Sequence, residues 1–578
     1  MNLMLRIFSF GVMCVMICTL VHAEFAVYNE VHYTIDAVRQ TAEVADNTKS
    51  VAVTSPESKL RLPDEITVGQ RTYRVTGIAD NAFKGCKNLT EVVLPAGLEY
   101  LSRNAFEGTG IWLNKANWHD GVLFIDSCLI AVDKSVKPKY VVPASTRLIA
   151  SGAFRGNKTV TRIDLPTTLT RIDNDLFRDC KNLTKVVIPT SVTWIGQDAF
   201  VGSGIWLNEK KWKKGALYID GCLIAVNKDA PSKFVFKDKV PTRLLAAGSF
   251  RGAKQVKTVT LPEGITVIPV ACFYQCTALT EVVIPASVTR VEHFAFAGCE
   301  QLKTATLPSD LEYLGARVFY QCRNLKQQVL SEKLTGLNTA CFYLCTALTQ
   351  IALPSRLELI GDGVFAGCSN LEEPIFPSSL QSIGEQAFAG CSRFRNIALP
   401  AGVTTVKKGA FADCTHLNTV RLPEELYAVD DETFKNCISL ERITLPKSLF
   451  RIGKSAFENC QELLGILIPD NVHGIENDAF LGCKKLYEIT LPPHLKTLSS
   501  GIFSTCISLQ KVYGLTDELE RIEDGAFYGC RQLREITIPA TVKYIGADAF
   551  NGCTYFSAPY FDESVTIGKN AFKNTKTK

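Results

Sequence analysis

The sequence predicts a solenoid of stacked coils with a parallel β-sheet along one face, and three observations predict it. Phenylalanine recurs in one phrase, and the twelve copies from Phe250 to Phe503 are spaced by 23 residues without a slip. Further copies stand at Phe83, Phe106, Phe154, Phe177, Phe200, Phe527, Phe550 and Phe572. The residues between them follow a shared pattern, A-F-x-G-C-x-x-L-x-x-I-x-L-P-x-x-L-x-x-I-G-x-x. One such unit cannot bury its own apolar residues, so a fixed period of this size means coils that cover one another rather than separate globules.

From the N-terminus, residues 1–23 read as a secretory signal peptide. Arg6 supplies the positive start, "IFSFGVMCVMICTL" the apolar stretch, and Val21, His22 and Ala23 the cleavage site. The apolar run is shorter than the roughly 20 residues of a membrane span. Met13 and Ile17 stand where a lipoprotein needs a small residue before Cys14 or Cys18. No other stretch is apolar enough to span a bilayer, so the mature chain is expected to be exported and soluble. Residues 24–75 lack the repeat; "FAVYNEVHYTIDAV", "TAEVADN" and "QRTYRVTGIAD" alternate like strands between polar turns. They predict a β-rich N-terminal cap over the apolar end of the first coil.

Residues 76–578 carry the coils. In "LTEVVLP" (89–95), Leu89, Val92 and Leu94 face inward and Pro95 ends the strand, because proline cannot continue a ladder. The return half, "AGLEYLSRNAF", sends Leu98 and Leu101 inward and drives Phe106 into the core as a wedge. Gly196, Gly315, Gly361 and Gly546 follow the second apolar residue and are expected to permit a tight bend at positive φ. Three residues after the phenylalanine, 15 of the 21 cysteines recur, replaced elsewhere by Thr109, Asn157, Ser203, Ala253 and Thr575. The position therefore selects for small size and a weak donor, which points to a reduced, buried ladder. Parallel side chains on adjacent coils suit disulfide geometry poorly.

Two coils are longer. Insertions near 108–140 and 202–237 open alike, "GTGIWLNKANWHDGVLFIDSCLIAVDK" and "GSGIWLNEKKWKKGALYIDGCLIAVNK". Their second halves read as β-hairpins turning at Asp126-Ser127 and Asp220-Gly221. Trp112 beside Ile111 and Leu113 reads as local core, whereas Trp118 and Trp212 have polar neighbours and are candidate ligand contacts.

The phrases "VFAGCSNLEEPIFPSSLQSIGEQAF" and "AFLGCKKLYEITLPPHLKTLSSGIF" closely resemble the BspA-like, or Treponema pallidum type, 23-residue leucine-rich repeat of bacterial surface proteins. The resemblance covers residues 76–578. It implies a leucine-rich repeat solenoid: a right-handed β/α superhelix with a parallel sheet on its concave face and short helical or irregular segments opposite. It also implies export and adhesion to host proteins or other cells, and it carries no shared catalytic motif.

The residues themselves offer no chemistry that would contradict this. His32, His119, His293, His416, His473 and His494 occupy different repeat phases, so stacking is not expected to gather them. No phosphate-binding loop, H-E-x-x-H or G-x-S-x-G occurs, and no Cys-x-x-Cys pair suggests a metal. No enzyme activity and no cofactor are expected. The net charge of +5 is spread out, apart from "EKKWKK" at 209–214, so nucleic acid is not an expected partner. The outward row two residues before each proline is rich in Thr, Ala and Val, with Arg421 in it and Tyr513 in the equivalent place before Gly514. The row at the start of each strand is mixed in charge and includes Arg442. Such a strip suits an extracellular or host protein, with Arg421, Arg442 and Tyr513 as candidate contacts. A glycan-binding accessory protein of the cell envelope, using Trp118 and Trp212, is the alternative. Cell surface, free secretion and periplasm are all open to an exported chain.

Overall fold

Alternation in the segment before each proline dictates strands with one side chain in and two out. The computed structural model, which describes residues 24–36, 40–46, 58–69, 71–236 and 241–576, forms such strands along its length. The expected leader lies outside the described residues. The chain divides into two units. One holds the described residues to Pro231 and the stretch ending at Arg251; the other holds Ser232–Phe236 and everything from Gly252 onward.

The first unit begins with a sheet of its own. Strands β1 (Glu24–Tyr28), β2 (Val31–Asp36) and β3 (Thr41–Val44) run as an antiparallel meander. β3 then pairs in parallel with β6 (Arg71–Ile78), which forms an antiparallel pair with β5 (Glu65–Val68). The other edge of the ladder continues into the coils: β6 pairs in parallel with Tyr100–Leu101, and β4 (Lys59–Arg61) with Glu91–Val93.

A regular coil then contributes three rungs, seen in the first unit around Phe177. Arg162–Asp164 pairs in parallel with Lys185–Val187, and Arg171–Ile172 with Trp194–Ile195. The third rung runs through the phenylalanine. The N–H groups of Asp175, Phe177 and Asp179 donate to the carbonyls of Gln197, Ala199 and Val201 in the next coil, at 3.0, 2.8 and 2.8 Å. Asp175 and Asp179 sit at φ of 55° and 58°, left-handed positions that turn successive N–H groups the same way. The second unit repeats this at Ala271, Phe273 and Gln275, which donate to His293, Ala295 and Ala297. The segment carrying the phenylalanine is thus hydrogen-bonded turn rather than helix. The α-helical residues in the described chain are two single turns, Gly110–Leu113 and Gly204–Leu207, both in insertions.

The phenylalanine rings fill the core. Those from Phe273 to Phe550 in the second unit stack on their neighbours with centroids 5.1 to 5.8 Å apart. Burying each ring contributes about 1.5–3 kcal/mol, and stacking about 0.5–1.5 kcal/mol more.

The glycines require a correction. Gly196, Gly315, Gly361 and Gly546 are not at positive φ. They are small because the preceding coil fills the space where a side chain would go. A Cβ on Gly196 would stand 2.5 Å from the Asn174 backbone nitrogen, and one on Gly546 2.4 Å from that of Asp524. In the same places the Asn174 and Asp524 side chains accept N–H bonds from Gln197 and Ala547, the residues after the glycines, both at 2.7 Å. Asp362 with Gly384 and Asp431 with Gly453 make the same bracket, and His293 Nδ1 makes it beside Gly315.

The cysteine position also acquires a cause. From Cys299 onward, and at Cys180, the thiol at this position points at the carbonyl of the phenylalanine one coil earlier. Cys180 Sγ lies 2.9 Å from Phe154 O, Cys299 3.0 Å from Phe273 O, and Cys460 3.3 Å from Phe434 O. That carbonyl already accepts an N–H within its own coil, as Phe154 O does from Asn157. The thiol occupies its second lone pair. All cysteines in the described chain are free.

Candidate interaction surface

Stacking places each exposed strand residue beside its counterpart one coil away, so the outward rows are the surface the fold builds. In the second unit one row contains Val283, Thr306, Val329, Ala352, Ile375, Ala398, Arg421, Thr444, Leu467, Thr490 and Tyr513, all solvent-exposed. Val329 escaped the sequence reading because Ser331 stands where the other coils have proline. It is 71% exposed.

Ile375, 91% exposed, stands in a coil that has lost its strand. Pro374 has no N–H to give the ladder. The Glu373 carboxylate takes up the rung instead, accepting N–H bonds from Arg395 and, at 3.0 Å, from Asn396. Partial burial opposes ionisation of Glu373, but these donors outweigh it and hold its carboxyl below the usual range. Glu372 pairs with Arg393 at 3.1 Å, and with Arg395 and His416 these residues line a shallow recess beside Ile375.

Arg421 and Arg442 lie on neighbouring strands, Thr419–Arg421 and Arg442–Thr444, with Thr419 opposite Arg442 and Arg421 opposite Thr444. The two arginines thus stand diagonally, at opposite ends of adjacent rungs. Tyr513, at the end of Lys511–Tyr513, lies in the same row three coils beyond Thr444. A second exposed row escaped the sequence reading. Tyr427, Phe450, His473 and His494 stack at 5.1, 4.7 and 5.1 Å, and His494 Nδ1 lies 3.3 Å from Glu518. Stacking therefore does gather two of the histidines, contrary to the expectation from repeat phase. The His494 ring reaches His473 although their sequence phases differ by two residues.

In the first unit the two insertions open with the same helical turn and hairpin. Thr109 and Ser203 occupy the cysteine position because a hydroxyl there accepts the N–H of Trp112 or Trp206, at 3.2 Å in both, and caps the helical turn. Trp118 meets Trp112 edge-on at 5.3 Å and donates its indole N–H to the Trp112 carbonyl; Trp212 and Trp206 do the same. All four rings are half-buried. Ile111 is buried as expected, but Leu113 points to solvent, as does its counterpart Leu207. The hairpins Val122–Ile125 with Cys128–Val132 and Ala216–Ile219 with Cys222–Val226 are tied back by their turn residues. Asp126 accepts the N–H of Leu94 and Asp220 that of Ile188, each at 2.8 Å.

Titratable groups with shifted character lie where the first sheet meets the coils. Burial, then the nearby Asp80 and Asp46, push the Glu43 carboxyl up to about 7. Burial also raises Asp173, against the opposing pull of Arg171, and one Asp173 oxygen has no hydrogen-bond partner. Among the described residues no three His, Cys, Asp or Glu side chains are arranged to hold a metal ion, and no helix is long and apolar enough to cross a membrane.

Comparison with known proteins follows this geometry. The family described as BspA type leucine rich repeat region (6 copies) matches residues 65–132, 131–206, 243–372, 335–464 and 451–578. Among solved structures, a leucine-rich repeat protein from Bacteroides ovatus is 21% identical over 89% of this chain and 100% of its own, with a TM-score of 0.39. A leucine rich cell surface protein from Faecalibacterium prausnitzii is 19% identical over 85% of this chain and 94% of its own, with a TM-score of 0.29. A leucine-rich repeat protein of T. pallidum is 31% identical over 28% of this chain and 77% of its own, with a TM-score of 0.27. No protein of curated function matches the chain. The family match spans most of the sequence and meets a solenoid of 23-residue coils, and this chain belongs to the BspA-type leucine-rich repeat family.

Proposed function

We propose that this protein is an exported, non-catalytic scaffold that binds other proteins at the bacterial surface, an adhesin whose partner is an extracellular or host protein. The observation that carries this reading is the outward row of the second unit. Val329, Ile375 and Leu467 stand largely in solvent along one outward row, with Ala352, Ala398, Arg421 and Thr444 between them. Exposed apolar anchors with charged flanks are the anatomy of a protein interface. The family supports a binding scaffold, and the leader read in residues 1–23 supports export.

The test is binding to an array of extracellular host proteins beside an array of polysaccharides. Replacing Val329 and Ile375 together by Asp should abolish protein capture and leave the circular dichroism spectrum unchanged. Replacing Trp118 and Trp212 together by Ala should leave capture intact. Binding confined to polysaccharides and lost with the two tryptophans would overturn the proposal in favour of a glycan-binding accessory protein. Protease shaving of intact cells tests the location: the protein should be cleaved without lysis.

A further inference from the structure

The outward face from Arg421 to Tyr513 differs from the rest of its row in three ways that point to one kind of partner. The first is unneutralised charge. Lys511, on the same face, pairs with Glu535 of the next coil at 3.4 Å. Arg421 and Arg442 have no ion-pair partner among the described residues, and their neighbours in the Arg421 row are Ala398, Thr444 and Leu467. Two arginines set diagonally on neighbouring strands are within side-chain reach of one carboxylate, for which their planar donor fork is suited.

The second is Gly465, which opens the next strand, Gly465–Leu467. Its φ is not positive, and a Cβ built on it would meet nothing within 4 Å, so neither a turn nor packing calls for glycine. A glycine in a strand with open space above it leaves room for another backbone to come close. The ladder also stops here: Arg442–Thr444 and Gly465–Leu467 belong to different sheets. The third is the pair of apolar side chains flanking that opening, Leu464 and Leu467, the latter 78% exposed, with Tyr513 two coils further on.

We propose that this face docks an extended peptide segment of a partner protein, acidic at the end over Arg421 and Arg442 and apolar where it crosses Gly465 and Leu467. The inference rests on the protein-scaffold reading above and adds the chemistry of the partner. The dimensions agree. Five coils at about 4.8 Å spacing span roughly 19 Å, the length of about six extended residues at about 3.3 Å each. The segment runs across the strands, with side chains meeting successive coils.

The experiment uses the full chain and three fluorescein-labelled six-residue peptides read by fluorescence anisotropy. One begins with two Asp and ends with alternating Leu and Thr; the second replaces Asp by Lys; the third replaces Leu by Ser. The first should bind, more weakly as salt rises, and the other two should lose at least about tenfold in affinity, a difference of about 1.4 kcal/mol. Arg421→Glu with Arg442→Glu should reverse the preference between Asp and Lys peptides. Gly465→Val, for which the fold has space, should weaken the Asp–Leu peptide without changing the circular dichroism spectrum. Equal binding of Asp and Lys peptides, or affinities in both variants within about twofold of the parent, would overturn the inference. So would displacement of the peptide by a polyuronate at comparable affinity, which would assign the arginines to an acidic glycan. If the arginine variant still captures its host protein from the array, this docking site fails while the scaffold reading stands; loss of all protein capture by the parent sinks the scaffold reading itself.

Discussion

Glu43 shows how one residue in the first sheet couples stability to pH. Its carboxyl lies against Gly77, where an added Cβ would stand 2.9 Å from Glu43 Cγ, and close to Asp80. Asp80 in turn accepts hydrogen bonds from Ser102 and Asn104 of the following coil. A carboxyl raised from 4.5 to about 7 binds its proton more tightly folded than unfolded. Its contribution is therefore fully present below the unfolded value and is lost as pH rises through about 7. The sheet should be more resistant to unfolding at pH 5 than at pH 8, as measured by hydrogen exchange of β3 and β6. Glu43→Gln should flatten that dependence and raise protection at pH 8. Asp173, shifted in the same direction, leaves a residual slope. None of this was legible in the sequence, where Glu43 is a single acid in a strand-like segment. The shift arises from which groups the parallel pairing of β3 with β6 sets beside it.

Within a coil, the pattern of the sequence names the buried residues well and the turns poorly. Leu89, Val92, Leu94, Leu98, Leu101 and Phe106 are buried as their spacing predicts. The glycines were misread from the sequence as bends at positive φ, because the cause lies one coil away, in the Asn, Asp or His that accepts the next N–H. Two substitutions separate the causes. Gly453→Ala would put a Cβ 2.5 Å from Asp431 and should lower stability by more than about 1 kcal/mol. Gly474→Ala, where a Cβ meets nothing within 4 Å, should be neutral or stabilising by up to about 1 kcal/mol. Thermal melts of the two variants decide it; equal losses would return the glycines to a conformational role. The cysteine rungs make a second prediction at this scale. Burial pushes the thiols up, Cys180 and Cys368 both to about 12, so few thiolates form. Half-exposed Cys86 should react with a thiol reagent in the native protein, and the buried rungs only after denaturation. Addition of a reductant should leave the melting temperature unchanged; a fall would reveal disulfides.

At the scale of the whole chain, the candidate contacts were partly legible because each outward position is fixed by its offset from a buried one. Arg421 and Arg442 could be placed on neighbouring coils, in different outward rows, from their phase alone. Val329 was hidden by the loss of one proline, and the contact of His494 with His473 by the assumption that only equal phases meet, whereas Tyr427, Phe450 and His473 share one phase. The same nearest-neighbour logic governs stability. A coil touches the coil before and the coil after, so the energy of the second unit is close to a sum over adjacent pairs. Phe434 stacks on Phe411 at 5.8 Å and on Phe457 at 5.7 Å, and Phe434→Ala removes both contacts at an expected cost of about 3–5 kcal/mol. The loss should be local in space. In hydrogen exchange with mass spectrometry, the amides of Phe411, Phe434 and Phe457, which donate to Thr433, Ala456 and Ala479, should exchange faster. Those of Phe273 and Phe296, several coils away, should keep their parent rates until the temperature nears the first transition. Equal acceleration from Gly252 to the last coil would mean that the unit unfolds all-or-none and that coil-by-coil coupling is the wrong description of it.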